Sequence, residues 1–183
     1  ETGAAGIVYH IVGVNGATCA SFATSENIRQ IIELNPDLVI LSFGTNEAHG
    51  RRYSSAEHLA QMDNLLGELK KGCPQAVYLL TTPPGAYVRN GRRGARVINP
   101  RTKLVVKTEL DYAASRELAI WDMYHVVGGE RYACLNWSNG NYFQRDKIHF
   151  TQDGYILQGL LLHEAIIKSY NNYVETQLDG TWN

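Results

Sequence analysis

Cysteine is scarce in this chain, and where it stands excludes two common frameworks. Cys19, Cys73 and Cys134 are the only three in 183 residues, and their spacing fits neither a zinc-ligand pattern nor a disulfide-stapled small domain. Buried free thiols are the expected state, with one disulfide and an odd thiol as the alternative. Charge of one sign is lacking too: a formal net charge of −1 gives no global attraction to nucleic acid or to an anionic membrane. No apolar run reaches the roughly 20 residues of a membrane-spanning helix, and no internal repeat, low-complexity tract or interdomain linker breaks the sequence. A secretory leader is also missing, which alone says nothing about compartment. What is left is a chain of one-domain size, residues 1–183, whose 44% apolar content suffices for a substantial core.

The chain is organised around Pro36-Asp-Leu-Val-Ile-Leu-Ser-Phe-Gly-Thr-Asn-Glu-Ala48. Residues 38–41 read as a buried strand, short and β-branched, bounded by Pro-Asp before and Gly-Thr-Asn after. That polar turn then falls at the strand's carboxyl end, the edge of an open α/β sheet at which ligands bind. The side-chain amide of Asn46, held there, offers a fixed dipole to a developing oxyanion. Equally, Gly-Thr-Asn can do no more than turn the chain and start a helix.

Arg145-Asp-Lys-Ile-His-Phe-Thr151 lies just ahead of a long apolar-periodic helix. A serine esterase needs a neutral imidazole held in one tautomer, with a carboxylate on its other nitrogen to stabilise the imidazolium that forms. Asp146 and His149, three apart on one turn, are the residue types for that task. Their spacing is common by chance; their place before the last helix adds weight.

Three short motifs carry a resemblance. Gly13-Val-Asn-Gly-Ala17, Gly44-Thr-Asn-Glu47 and Asp146-Lys-Ile-His149 resemble, in order, the second, third and fifth sequence blocks of SGNH (GDSL-like) hydrolases. Tyr9-His-Ile-Val-Gly-Val-Asn-Gly-Ala17, Gly44-Thr-Asn-Glu-Ala48, Trp121-Asp-Met and Gly128-Gly-Glu are similar to the branch that contains bacterial peptidoglycan O-acetylesterases. The resemblance implies that His149 is the general base, Asp146 its orienting partner, and Asn46 with the backbone N–H of Gly16 the oxyanion donors. It implies no metal or organic cofactor, an acylated carbohydrate as substrate, and a periplasmic or secreted location. One departure is serious. The family's first block, a Gly-Asp-Ser turn that supplies the nucleophile, is absent, and no Gly-x-Ser-x-Gly elbow occurs either.

The remaining elements follow from periodicity and caps. Residues 7–12 read as an opening strand ending at Gly13, with Asn15-Gly16 as its turn. Ser25 is the expected N-cap of a helix bearing Ile28, Ile31, Ile32 and Leu34. Ser54 or Ser55 caps a second, whose apolar face is Leu59, Met62, Leu65, Leu66 and Leu69, with Gly72 at its stop. Strands over 76–81 and 119–122 flank a helix over 104–118. Residues 128–144 read as a loop in which Tyr132, Trp137, Tyr142 and Phe143 form either a sugar-stacking wall or rings packed on the body. Thr151 caps the last helix, expected to bury Ile156, Leu157, Leu160, Leu161, Ala165 and Ile166, and beyond Tyr173 the tail reads as irregular.

Between Pro84 and Thr108 come Arg89, Arg92, Arg93, Arg96, Arg101, Lys103 and Lys107 without one acidic residue. This is either a surface for an anionic polymer such as cell-wall glycan or a solvated loop balanced by acids elsewhere. Tyr87 is its only aromatic, so single-stranded nucleic acid is not an expected partner. His10, His49, His58, His125 and His163 read as surface or packing residues, with His49, close behind Asn46, a candidate to line the cleft.

Alternating strand-like and helix-like stretches predict an α/β fold, a three-layer αβα sandwich on a parallel sheet with its first strand missing. The function this predicts is a serine esterase removing small acyl groups, O-acetyl above all, from a carbohydrate such as peptidoglycan. Its nucleophile strand would come from an upstream segment of the same protein, which leaves this chain alone inactive. The alternatives are a non-catalytic glycan-binding module or degenerate hydrolase, and a variant in which Ser21 or Thr45 serves as nucleophile.

Overall fold

The computed structural model describes residues 6–91 and 94–180. Arg92, Arg93, the first residues of the glycine-rich lead-in and the end of the C-terminal tail lie outside the described residues. In chain order the elements are α1 (Cys19–Phe22), α2 (Ser25–Glu33), β1 (Leu38–Ser42), α3 (Thr45–His49), α4 (Ser55–Gly72), β2 (Val77–Thr81), β3 (Tyr87–Arg89) and β4 (Arg96–Ile98). Then come α5 (Thr102–Ser115), β5 (Ala119–Trp121), α6 (Met123–Val126), α7 (Gly129–Asn139) and α8 (Gln152–Gly180).

Strands β1, β2 and β5 form a parallel sheet in the order β1-β2-β5, with Leu38 opposite Val77 and Ser42 opposite Thr81. Parallel neighbours need long crossovers, and α4 and α5 supply them. Helix α4 starts where the Ser54 side chain accepts the Glu57 N–H, and it buries Met62, Leu65, Leu66 and Leu69. These pack with Val39, Leu41, Tyr78 and Leu80 of the sheet, Phe22 of α1, Ile28 and Ile31 of α2, and Tyr112 and Ala113 of α5 in one core. Gly72 ends α4 against the Ile32 side chain, which would have to move to admit a Cβ there. Cys19, Cys73 and Cys134 are free and buried. Among the described residues no helix is long and apolar enough to cross a membrane.

Because the three strands are parallel, their carboxyl ends share one edge of the sheet, and the loops that leave it meet there. Thr82, directly after β2, donates its N–H to the Trp121 carbonyl at 3.1 Å and its hydroxyl to Asp122 at 3.0 Å. The chain leaving β1 turns at Gly44, whose φ of +99° and close neighbours, Glu109 Oε1 at 2.7 Å and Val105 Cγ1 at 2.9 Å from a built Cβ, admit only glycine.

Four sequence expectations change. Residues 7–12 join no strand ladder, and Ile7, Tyr9 and Ile11 are 96%, 76% and 81% exposed. An apolar run signals a strand only where a neighbouring strand can take its hydrogen bonds, and none stands beside it among the described residues. The cap of α2 is Thr24, which accepts the Asn27 N–H, one residue ahead of Ser25. Residues 129–139, read as loop, are the helix α7, which buries Ala133, Cys134 and Trp137. The last helix runs beyond Tyr173 to Gly180 and buries less than its pattern implies. Of the six apolar residues expected to be buried, Leu157 and Leu161, one turn apart, pack against Trp137, Phe143 and Phe150. Ile156 and Leu160 lie about 100° round the helix from them and are more than half exposed.

Candidate active site

The turn before α8 carries a closely bonded carboxylate and imidazole at the surface. Asp146 Oδ2 faces His149 Nδ1 at 2.7 Å, while Oδ1 accepts the N–H groups of Ile148 at 2.8 Å and His149 at 2.9 Å. Lys147 between them takes φ +60°, which folds the turn tightly enough for one carboxylate to collect all three contacts. Thr151 closes the segment by accepting the Gly154 N–H, the first-turn cap of α8. With Nδ1 facing a carboxylate, Nε2 is left at the surface as the proton acceptor.

Burial by itself raises the Asp146 carboxyl, but the hydrogen bonds from His149, Ile148 and the His149 backbone overcome it and bring it down to about 2. A group depressed on folding stabilises the fold above its unfolded value, about 3.9, and loses that contribution as pH falls through the folded value. Asp146→Asn is therefore expected to lower the melting temperature near pH 6, with the gap to the unsubstituted protein closing between about pH 4 and 2. A gap constant over that window would mean that the carboxylate does not hold the turn.

Asn46 and the loop bearing Gly16 are brought together by one hydrogen bond. Asn46, the second residue of α3, donates from Nδ2 to the Ala17 carbonyl at 2.8 Å, which leaves its second N–H available. Gly16 takes φ +74° with open space around its Cα, and its N–H makes no hydrogen bond among the described residues. The Gly44-Thr-Asn-Glu47 segment thus both turns the chain and starts a helix, as its sequence allows.

Glu47 joins the two loops, a role that sequence reading quoted as part of a motif but did not assign. Its buried carboxylate accepts the Cys19 N–H on Oε1 and the Gly44 N–H on Oε2, both at 2.8 Å. One side chain thereby ties the loop bearing Gly16 to the turn bearing Asn46. Behind it, His58 receives or donates a bond with Tyr53 at 3.1 Å and lies 3.8 Å from Glu109. Burial lowers the His58 imidazole and raises Glu109, the latter also through Glu47 and Asp122. Burial, then Glu47 and Glu109, push the Cys19 thiol up. Cys19, Glu47 and His58 place ligand-type atoms within 4.8 Å of one another, a sulfur, oxygen and nitrogen set of the kind zinc accepts. Glu47 is already committed there to two backbone donors.

The His loop and the Asn turn meet at Tyr87. Its N–H donates to the Lys147 carbonyl at 2.9 Å, and its own carbonyl faces His49 Nε2 at 3.3 Å. His49 Nδ1 faces the Thr45 carbonyl at 2.8 Å. Both ring nitrogens of His49 thus address carbonyls, so it braces the turn instead of opening onto the cleft. Of the aromatic rings in residues 128–144, Trp137 and Phe143 are buried and Trp137 Nε1 donates to the Pro84 carbonyl, which makes them packing groups. Tyr132 is exposed.

A second Asp-x-x-His, Asp122 with His125, repeats the dyad contact at 2.6 Å. Its Asp122 also accepts the Thr82 hydroxyl and the His125 N–H that caps α6. Only His149 sits on the loop that Tyr87 links to Asn46. Ser21 is tied to Thr18 in the cap of α1, which engages the hydroxyl of that candidate nucleophile.

The sequence profile of the GDSL-like lipase/acylhydrolase family matches residues 1–157. Among solved structures, a peptidoglycan O-acetylesterase is similar over 84% of this chain and 44% of its own, with 24% identity and a TM-score of 0.72. A putative acylhydrolase from Bacteroides fragilis matches over 84% of this chain and 72% of its own at 20% identity and TM-score 0.63. An acetyl xylan esterase matches over 84% and 78% at 16% identity and TM-score 0.63. The chain thus spans less than half the length of the peptidoglycan O-acetylesterase. No curated protein is similar enough to this chain to count as a relative.

Proposed function

We propose an esterase reading on one premise: this chain belongs to the GDSL-like lipase/acylhydrolase family. It supplies the base, the orienting carboxylate and the oxyanion donors of a serine esterase that removes O-acetyl groups from a carbohydrate such as peptidoglycan. The observation that carries the reading is the Asp146–His149 contact of 2.7 Å, on a loop joined through Tyr87 and His49 to the turn that presents Asn46. His149 Nε2 takes the proton of a serine hydroxyl as it attacks the ester carbonyl. The Gly16 N–H and the second Asn46 N–H hold the oxyanion, and water hydrolyses the acyl-enzyme by the same route.

The serine comes from a strand outside residues 1–183, since no family-type nucleophile turn occurs within them. Two features support a place for it. The outer edge of β1 has no partner strand among the described residues, and residues 7–11 of the apolar run stand exposed, outside any ladder, with only Val12 reaching the core. A parallel strand beside β1 would satisfy the edge and deliver its carboxyl-terminal turn to the shared rim of the sheet.

The test is hydrolysis of a generic aryl acetate. Residues 1–183 alone should show little turnover, and the same residues joined to or mixed with a strand bearing Gly-Asp-Ser should hydrolyse the ester and lose activity on labelling of that serine. No hydrolysis with the strand present would sink the esterase reading and favour the glycan-binding alternative.

A further inference from the structure

The β3–β4 hairpin carries charges that the fold leaves unused. Within the basic segment, Lys103 pairs with Glu130 and Lys107 with Asp111, and Arg101 donates to the carbonyls of Ala48 and Gly50 at the end of α3. Arg89 and Arg96 have no such partner among the described residues. They stand directly opposite each other in the antiparallel register, Arg89 exposed and Arg96 half-buried. Two like charges at directly opposed positions repel, so the hairpin holds this pair at a cost.

Where the pair points follows from the ladder. Tyr87 and Ile98 are also directly opposed, two residues away, and so lie on the same side of the ribbon as the two arginines. They pack against the cluster of Trp137, Phe143 and Phe150, the side from which the His149 loop rises. Tyr87 is also the residue whose backbone meets Lys147 and His49. The arginine pair is therefore rooted two residues from the junction of both site loops. Arg145 and Lys147 add positive charge on that loop, the Lys147 ammonium lying 5.7 Å from the Phe143 ring centre. The nearest acid in the loop, Asp146, is engaged by His149.

We infer that Arg89 and Arg96 form an anion clamp at the rim of the site, binding a carboxylate or phosphate borne by the acylated molecule. The inference rests on the acylhydrolase reading for its substrate and narrows that substrate from any carbohydrate ester to an anionic one. Guanidinium groups bind such anions in paired, charge-assisted hydrogen bonds, and an anion between the two removes their repulsion.

The test measures binding and turnover side by side in the full chain. Calorimetry would compare 4-acetamidobenzoate and 4-acetamidophenyl phosphate with neutral 4-acetamidobenzamide, and assays would compare the corresponding acetate esters with the nucleophile strand present. The anions should bind about tenfold more tightly than the amide at low salt, a preference that shrinks as salt is raised. The tighter of the two identifies the group recognised. R89Q/R96Q should abolish the preference while leaving turnover of the neutral ester within about twofold. R89E, which gives Arg96 a cross-strand partner and should not weaken the hairpin, should abolish it as well. Equal affinity for the three ligands, or a preference that survives in R89Q/R96Q, overturns the clamp. Selective anion binding with no hydrolysis of any ester would instead remove the esterase reading and leave the clamp standing.

Discussion

Replacing His149 by alanine is expected to reduce aryl acetate hydrolysis by at least a factor of about 10³ in the protein that carries the nucleophile strand. The size follows from what the ring alone can do. A serine hydroxyl near neutral pH is a poor nucleophile until a base removes its proton during attack, and Nε2 of His149 is the proposed base, its other nitrogen held by a carboxylate at 2.7 Å. Asp122–His125 has the same internal geometry and serves as the control. His125→Ala should leave the rate within about threefold, since its dyad is not on the loop linked to Asn46. A large loss in His125→Ala with none in His149→Ala would exchange their roles.

Asn46→Ala is the second large effect, about 10²–10³ in kcat, or 2.7–4 kcal/mol of transition-state stabilisation, with little change in KM. The amide donates one N–H to Ala17, which fixes its orientation before any substrate arrives, and in the proposed role the remaining N–H would meet the oxyanion without reorganisation. Stability should change by only about 1 kcal/mol, the worth of the single hydrogen bond to Ala17. Thermal melting would separate the two contributions. A loss of activity matched by a fall in melting temperature large enough to unfold the protein at the assay temperature would assign Asn46 to the fold instead.

Strands and long helices were legible because their signals are local. The runs that became β1, β2 and β5 are short, apolar and bounded by turn residues, and α4 and α5 show helical spacing between them. Helix α7 was not legible, because Gly128-Gly-Glu, Asn136, Ser138 and Asn139 read as loop chemistry, whereas burial of Ala133, Cys134 and Trp137 overrides weak propensity. Residues 7–12 failed in the opposite way: a β-rich run says nothing about whether a partner strand exists. At the site, the proximity of Asp146 and His149 could be read from three-residue spacing. The bond from the Cys19 N–H to Glu47 spans 28 residues and the meeting of His49 with Tyr87 spans 38, so neither joint has a local signature. The arginine pair was visible within a charge run, but not which of its described members lacked partners.

The side of β1 that has no partner strand among the described residues has a bearing on how the polypeptide behaves at the bench. Leu38-Val-Ile-Leu-Ser42 has no charge, proline or bulge to blunt it, and a bare strand of that kind is a template for another copy. With that edge open, the protein should self-associate as it is concentrated and come out of solution on storage. Co-expression with a complementary strand would then be as much a solubility measure as a route to turnover.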